Sequence, residues 1–288
     1  MERKERGKYA TGKDSGQEKA IRFLYESTAG RLILKLLVLP PISRLVGMFL
    51  SSRLSCLLID PFIRKHGIDL DEYEKAKYRS YNDFFIRKIR SELRPVDNNP
   101  SHFISPCDSK LTVTEITLES VFTLKNTQYT LSSLLRNERL AAEYNKGYAM
   151  IFRLTVDDYH RYCYVDDGTK EENIYIPGEL HTVNPIANDH FPIDKENCRE
   201  YSVLHSRNYG DIIMMEVGAL LVGKIVNHHS AARVSRGQEK GYFQFGGSTV
   251  VLLVKENRVV PDADIMENSK SGIETIVRFG ERIGLATK

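Results

Sequence analysis

Apolar and polar positions divide the chain into two regimes. The first twenty residues are polar, rich in Lys, Arg and Glu, and predict a mobile arm. Next comes the most apolar stretch, "GRLILKLLVLPPISRLVGMFLSSRLSCLLIDPFIRKHGI". Lys35, Arg44 and Arg53 interrupt it and Pro40-Pro41 breaks any helix in its middle, so it predicts short helices rather than a membrane span. Arg31 and Lys35 are four apart and share a helix face, with Leu32, Ile33, Leu36 and Leu37 covering the rest. A basic, apolar helix pair of this kind either lies in a lipid interface or packs as a hairpin on the domain core. "SYNDFFIRKIRSELRPV" predicts a helix capped by Ser80 or Asn82 and ending before Pro95. From about Ser101 the pattern changes to short β-like runs punctuated by Gly and Pro: "KLTVTEITL", "YAMIFRLTV", "ENIYIPGEL", "DIIMMEVGALLVGKIV", "GYFQF" and "STVVLLV". The C-terminal two thirds therefore reads as mainly β.

Composition narrows the picture. The 288 residues are 41% hydrophobic and 27% charged, enough for one large domain or two small ones with a substantial core. A net charge of +3 gives no ground for a nucleic-acid partner. Cys56, Cys107, Cys163 and Cys198 are far apart without a CxxC pair, which predicts reduced thiols in a cytosolic setting. The charged start lacks the apolar core of a signal peptide.

The chemistry centres on "GYFQFGGSTVVLLV", Gly241 to Val254, where Gly246 and Gly247 interrupt what reads as one β-rich run. A Gly-Gly-Ser segment is usually a turn, and Val250 rules out a G-x-S-x-G elbow. A serine hydroxyl can, however, attack the carbonyl before it and turn the peptide bond into an ester. Gly247 would favour this, having no Cβ to hinder the attack, and Ser248 would need a base. His160, in "RLTVDDYHRYCYVDDG", is suited to move a proton near neutral pH, although a histidine beside Tyr and Arg is more often structural. Asp108, in "ISPCDSKL", is either a turn former or the carboxylate of an Asp108, His160, Ser248 arrangement. His181 sits near a predicted strand end and could line a pocket. His228 and His229 are adjacent and would point to opposite strand faces, and no metal-ligand spacing or nucleotide-binding motif appears.

Taken together, "YNDFFIRKIRSELRPV", "ISPCDSKL", "RLTVDDYHRY", "PGELHTVNPIA", "NCREYSVL", "MEVGALLVGKIV" and "KGYFQFGGSTVVLL" resemble the phosphatidylserine decarboxylases from about Tyr81 to the C-terminus. The resemblance implies a proenzyme that cleaves itself at Gly247–Ser248 into fragments Met1–Gly247 and Ser248–Lys288. It implies that Asp108 and a histidine of "DYHRY" activate Ser248. Ser248 then becomes a covalent pyruvoyl group, the electron sink that lets phosphatidylserine lose CO2 to give phosphatidylethanolamine, with His160 as the candidate proton donor. The partners implied are phosphatidylserine, an anionic membrane surface and the chain's own two fragments, with a homodimer left open and no nucleic acid. The location implied is peripheral, on the cytoplasmic face of the cell membrane.

Many members carry a second histidine three residues after the first, where this chain has Cys163. His160 would then serve alone or with a group such as His181. Many members also have Leu-Gly-Ser-Thr where this chain has Gly246-Gly247-Ser248-Thr249. The expected fold is α+β. Residues 1–100 form a polar arm and a helical membrane-associating region, and residues 101–288 a mainly β catalytic domain. Two other readings stay open: a pyruvoyl decarboxylase of another amino-acid-bearing substrate, and a non-processing lipid-binding relative.

Overall fold

The computed structural model describes residues 6–10, 27, 40–74, 77–117, 119–124, 127–178, 197–218, 224–244 and 248–287. The helix face carrying Arg31 and Lys35, His181, and both Gly246 and Gly247 lie outside the described residues.

The strands, in chain order, are β1 (Lys8–Ala10), β2 (His102–Ile104), β3 (Ser109–Glu115), β4 (Val121–Leu124), β5 (Thr127–Thr130), β6 (Tyr148–Leu154), β7 (Arg161–Cys163), β8 (Gly168–Lys170) and β9 (Ile174–Ile176). They continue with β10 (Arg199–Ser206), β11 (Gly210–Val217), β12 (Ile225–Asn227), β13 (Ala232–Val234), β14 (Glu239–Phe243), β15 (Ser248–Val254), β16 (Val259–Pro261), β17 (Ile273–Val277) and β18 (Arg282–Ala286). One antiparallel sheet dominates, in the order β1-β17-β3-β6-β15-β11-β10-β8-β13, with β9 also on β10. Two three-stranded sheets, β12-β14-β7 and β16-β18-β2, accompany it.

At the centre, β15 pairs with β6 on one side and β11 on the other. All seven of its residues are buried. The run Val250-Val251-Leu252-Leu253-Val254 is apolar without alternation because both faces of the sheet are covered. The even-numbered side chains Val250, Leu252 and Val254 join a cluster with Leu154, Met214, Tyr162 and Phe243, which ties in the small sheet β12-β14-β7. The odd-numbered Val251 and Leu253 face a second cluster with Met215, Phe122, Leu131 and Leu134. That cluster brings in the hairpin β4–β5 and two short helices, Leu131–Leu135 and Glu138–Ala142.

"GYFQF" and "STVVLLV" are thus not one interrupted strand. The first belongs to the small sheet and the second to the large one, so the chain changes sheets between Phe243 and Ser248.

The N-terminal region forms short helices, as its prolines require. Helix α1 (Pro40–Leu50) begins on the proline pair, where a missing N–H and a fixed φ cost nothing. A 3₁₀ turn, Arg53–Leu58, leads into α2 (Ile59–His66). Helix α2 carries Asp60 in its first turn and Arg64, Lys65 and His66 in its last, and it stops at Gly67 with φ 61°. Helix α3 (Tyr81–Phe85) is capped by Ser80, whose Oγ accepts from the Asp83 N–H at 3.1 Å. Leu50, Ile59, Tyr81, Phe84 and Phe85 form one buried cluster from these pieces.

Two expectations are corrected. The helix over "SYNDFFIRKIRSELRPV" ends at Phe85, because Ile89 bridges to Tyr73 and the Glu74 and Arg90 amides donate across that pairing. The polar arm is not wholly mobile: Lys8–Ala10 adds an edge strand to β17. Its charges find partners, Arg6 pairing with Asp262, Asp264 and Glu281 at 2.8–2.9 Å.

Sheet order makes a prediction for a chain cut just before Ser248. Strands β15 and β17 would belong to the C-terminal piece, yet both are hydrogen-bonded on each side to strands of the N-terminal piece. Five fully buried aliphatic side chains on β15 alone represent on the order of 10 kcal/mol of burial. The cut protein is expected to elute as one particle in native buffer and to separate into two fragments only in denaturant. Free fragments in native buffer would contradict this interleaving.

Candidate active site

Ser248 is the first residue of β15, lies opposite Leu154 at the end of β6, and is 1% exposed. Paired residues share a sheet face, so Ser248 points to the same side as Val250 and Leu252, toward the small sheet. Ser109 lies one residue beyond the Lys110–Arg153 pair and continues the same row two strands away. It is buried, and its hydroxyl has no hydrogen-bond partner. Asp108 immediately precedes it, so strand register carries Asp108 to the Ser248 end of the sheet.

His160 reaches this end by another route. The loop after β6 turns back into β7, and the His160 carbonyl accepts from the Phe243 N–H at 3.0 Å, five residues before Ser248. Its ring is 1% exposed and lies 4.1 Å from the Phe85 ring, so the N-terminal helical block forms part of the site wall. Nδ1 is 2.9 Å from the Asp158 carbonyl. A carbonyl can only accept, so Nδ1 carries the proton and Nε2 presents its lone pair. That Nε2 is buried and has no hydrogen-bond partner. Burial lowers the pKa of His160 to about 3, which keeps the ring neutral across the physiological range.

The sequence paired Asp108 with His160; the structure brings the two to one end of the sheet without a hydrogen bond between them. Asp108 is instead gripped by Arg94, with Nε at 3.0 Å from both carboxylate oxygens and Nη2 at 2.7 Å from Oδ2. The Phe279 N–H adds a bond of 2.7 Å to Oδ1. Burial works against the Arg94 charge, but Asp108 more than offsets this and raises the guanidinium's pKa. The group that orients His160 is Asp158. Its carboxylate is fixed by Lys110 Nζ at 2.7 and 2.8 Å and by the Thr155 N–H at 2.6 Å, while its carbonyl holds the imidazole.

Cys163, three residues after His160, is completely buried in the core. Burial pushes its thiol well above the usual range, so it is no base near neutral pH. Its N–H donates to the Pro106 carbonyl at 2.9 Å, stitching β7 to the turn that carries Asp108. His228 and His229 have separate partners, Glu239 at 2.7 Å and Tyr164 at 3.2 Å. Arg94, Ser109, Lys110 and Asp158 were missed as site residues, although all four lie in or beside the quoted segments. Only the fold pairs Arg94 with Asp108 and Lys110 with Asp158, and sets Ser109 in the row of Ser248.

This arrangement offers a buried hydroxyl at a strand start, a neutral imidazole with an open lone pair on the loop that leads into the small sheet, and a charge-compensated carboxylate at the same end of the large sheet. It suits proton abstraction from a hydroxyl in a dry site.

Comparison with known proteins finds similarity along most of the chain. The family described as phosphatidylserine decarboxylase matches residues 81–285. The phosphatidylserine decarboxylase proenzyme 2 of Clostridium acetobutylicum is 50% identical over 265 residues, covering 92% of this chain and 91% of that protein. The phosphatidylserine decarboxylase proenzyme of Clostridium botulinum (strain Langeland) is 42% identical, covering 93% and 92%. That of Clostridium tetani is 40% identical, covering 96% and 94%.

The buried neutral imidazole has a consequence for stability. The folded chain does not protonate His160 until about pH 3, whereas the unfolded chain does so near the ordinary value of 6.5. The unfolded state therefore binds the extra proton between these values, and stability falls with pH by about 1.4 kcal/mol per unit from this group. His160→Gln is expected to flatten the decline in urea-unfolding free energy between about pH 6 and 4. Equal slopes in variant and parent would contradict the neutral, buried ring.

Proposed function

The chain belongs to the phosphatidylserine decarboxylase family, and we propose that it is a proenzyme that cuts itself at Gly247–Ser248 and then decarboxylates phosphatidylserine through a pyruvoyl group made from Ser248. The observation that supports the site assignment is the position of Ser248, buried at the start of the central strand, five residues after Phe243, whose N–H is bonded to the carbonyl of His160, a residue with an unpartnered Nε2. The surroundings suit such a group: it would sit in a dry site with buried, unpartnered polar atoms of His160 and Ser109 at the same sheet end.

In processing, Ser248 Oγ attacks the carbonyl carbon of residue 247 and its proton passes to His160 Nε2. The Asp158 carbonyl keeps Nδ1 protonated throughout, so the ring is transiently an imidazolium. Asp108, held by Arg94, supplies negative charge at the same end of the sheet to stabilise that cation. His160 returns the proton to the departing amide nitrogen, leaving an ester. Elimination and hydrolysis at residue 248 then release ammonia and leave the ketone. Once in place, the pyruvoyl group supplies an electron sink for loss of CO2 from the serine head group. His160 is the candidate to return a proton to the carbon that loses CO2.

In this reading residues 101–288 carry most of the chemistry, with Arg94 and Phe85 contributed from residues 1–100, whose exposed helical surface docks on the lipid. Leu45, Met48, Leu54 and Leu57 are 59%, 61%, 70% and 80% exposed on α1 and the 3₁₀ turn. Arg53, Arg64 and Lys65 are exposed beside them. No helix among the described residues is long and apolar enough to cross a membrane. An apolar set ringed by cations suits the interface of an anionic bilayer, each cation adding about 1 kcal/mol. It also favours a lipid-borne substrate over a free amino acid. The free thiols of the four cysteines are in keeping with the cytoplasmic face.

Two experiments test this reading. Intact mass after incubation should show two fragments, the smaller beginning at a carbonyl-reactive residue 248, with CO2 released from phosphatidylserine vesicles. Ser248→Ala should abolish both. A parent chain that stays whole and inactive would overturn the function. For docking, Leu54→Asp with Leu57→Asp should weaken co-sedimentation with anionic vesicles at least about tenfold, since each leucine contributes about 1.5–3 kcal/mol when buried. Cleavage should still go to completion. Unchanged vesicle binding would place the lipid surface elsewhere.

A further inference from the structure

A second set of buried charges lies beside the site and has no part in the steps above. Glu216 on β11 is directly opposite Val250 and so shares the face of Ser248, one step along the strand. Diagonal neighbours of this kind lie about 7–8 Å apart. Glu216 and Lys240 are both completely buried and pair at 2.6 Å through Oε2. The Asn227 amide also donates to Oε2 at 3.0 Å and to Glu200 at 2.8 Å, and Glu200 is the cross-strand partner of Glu216. Oε1 of Glu216 has no hydrogen-bond partner. Leaving a buried carboxylate oxygen unsatisfied costs about 1–3 kcal/mol or more. A purely structural ion pair would have no reason to keep it open.

The proposed reaction has an unfilled role. The serine head group arrives as an ammonium and must give up a proton before its nitrogen can act as a nucleophile. We propose that Oε1 of Glu216 binds the head-group ammonium and takes that proton. The N–H bond breaks, an O–H bond forms on Oε1, and the electron pair stays on nitrogen, ready for the carbonyl at residue 248. The assignment rests on the decarboxylase reading of Ser248. Lys240 is itself a cation and holds Oε2, leaving Oε1 to the substrate. Burial raises the Glu216 pKa, making it a better proton acceptor than the neutral His160 ring. The other ionisable groups around it are Glu200, Lys240, Lys170, Tyr162 and Tyr164.

Removing the Glu216 charge alone would strand Lys240, so the test pairs Glu216→Gln with Lys240→Met, a replacement that buried ion pairs often tolerate. In the full chain with detergent-dispersed phosphatidylserine, the double variant should still cleave itself. Its kcat/KM at pH 7 should fall about 100-fold or more. The deficit should shrink as pH rises through the amine's own pKa, where the head group loses its proton unaided. Capture of the carbonyl by hydroxylamine, whose nitrogen is already neutral at pH 7, should proceed at the parent rate. Glu216→Asp keeps the charge on Lys240 while withdrawing the carboxylate, and should show the same pH-dependent deficit should the double variant fail to fold. Parent-like kcat/KM, or a loss equal at every pH and matched by slower hydroxylamine capture, would overturn the proposal. A parent chain with no carbonyl-reactive site would instead overturn the function beneath it.

Discussion

The structure depends on one constraint: Ser248 opens a strand that is buried on both faces and hydrogen-bonded along both edges. A nucleophile on a loop would need its position fixed by other contacts. Here the ladder to β6 and β11 fixes it. The same ladder allows the bond before Ser248 to break without loss of the fold, because β15 is held by its neighbours and not by the chain that leads into it. Strand β17, inserted between β1 and β3, repeats the arrangement further out. Covalent continuity at this point is therefore dispensable to the sheet.

Strand parity then separates chemistry from support. Odd positions Val251 and Leu253 of β15 face an apolar layer closed by the β4–β5 hairpin and two short helices, with the buried Arg199 bonded to the carbonyls of Ser133 and Leu134 at its edge. Even positions face the small sheet, whose strands and connecting loops carry His160 and Lys240, and on this side lie Ser109, Ser248 and Glu216. Polar groups are costly in a core unless paired. Most here are paired: Asp108 with Arg94, Asp158 with Lys110, Glu216 with Lys240. The unpartnered Ser109 Oγ and Glu216 Oε1 belong to residues on the Ser248 face, and the unpartnered His160 Nε2 to the loop that leads into the small sheet.

Much of this was legible in the chain. The β-branched runs marked β3, β6, β11 and β15 because their composition has one stable use, a strand in a covered sheet. Ser80 was legible as a cap because capping is local. What was hidden is non-local. "GYFQF" and "STVVLLV" look alike in composition, and nothing in either tells which sheet it joins. The helix-like spacing past Phe85 gave way to a pairing of Ile89 with Tyr73. Arg6 read as a solvated charge until three carboxylates from the C-terminal region were seen around it. Glu216, in "MMEVG", would pass as the exposed position of an alternating strand; only the buried Lys240 above it explains its place inside.

The two buried proton acceptors differ in a way that matches the two tasks asked of them. In the proposed self-cleavage, which would happen once per chain, the proton lost by the serine hydroxyl is returned within the same event. A neutral imidazole with a strongly depressed pKa suits this, since it does not hold the proton. Turnover must instead admit a charged head group repeatedly and retain its proton while the nitrogen acts. A carboxylate whose pKa burial raises, with one oxygen bound to Lys240 and the other open, suits that task. Cys163 stands where the resemblance to the family leads to the expectation of a second histidine, and as a buried neutral thiol it serves neither. With that position closed to proton transfer, the proposed acid-base work divides between His160, on the loop after β6, and Glu216, on β11.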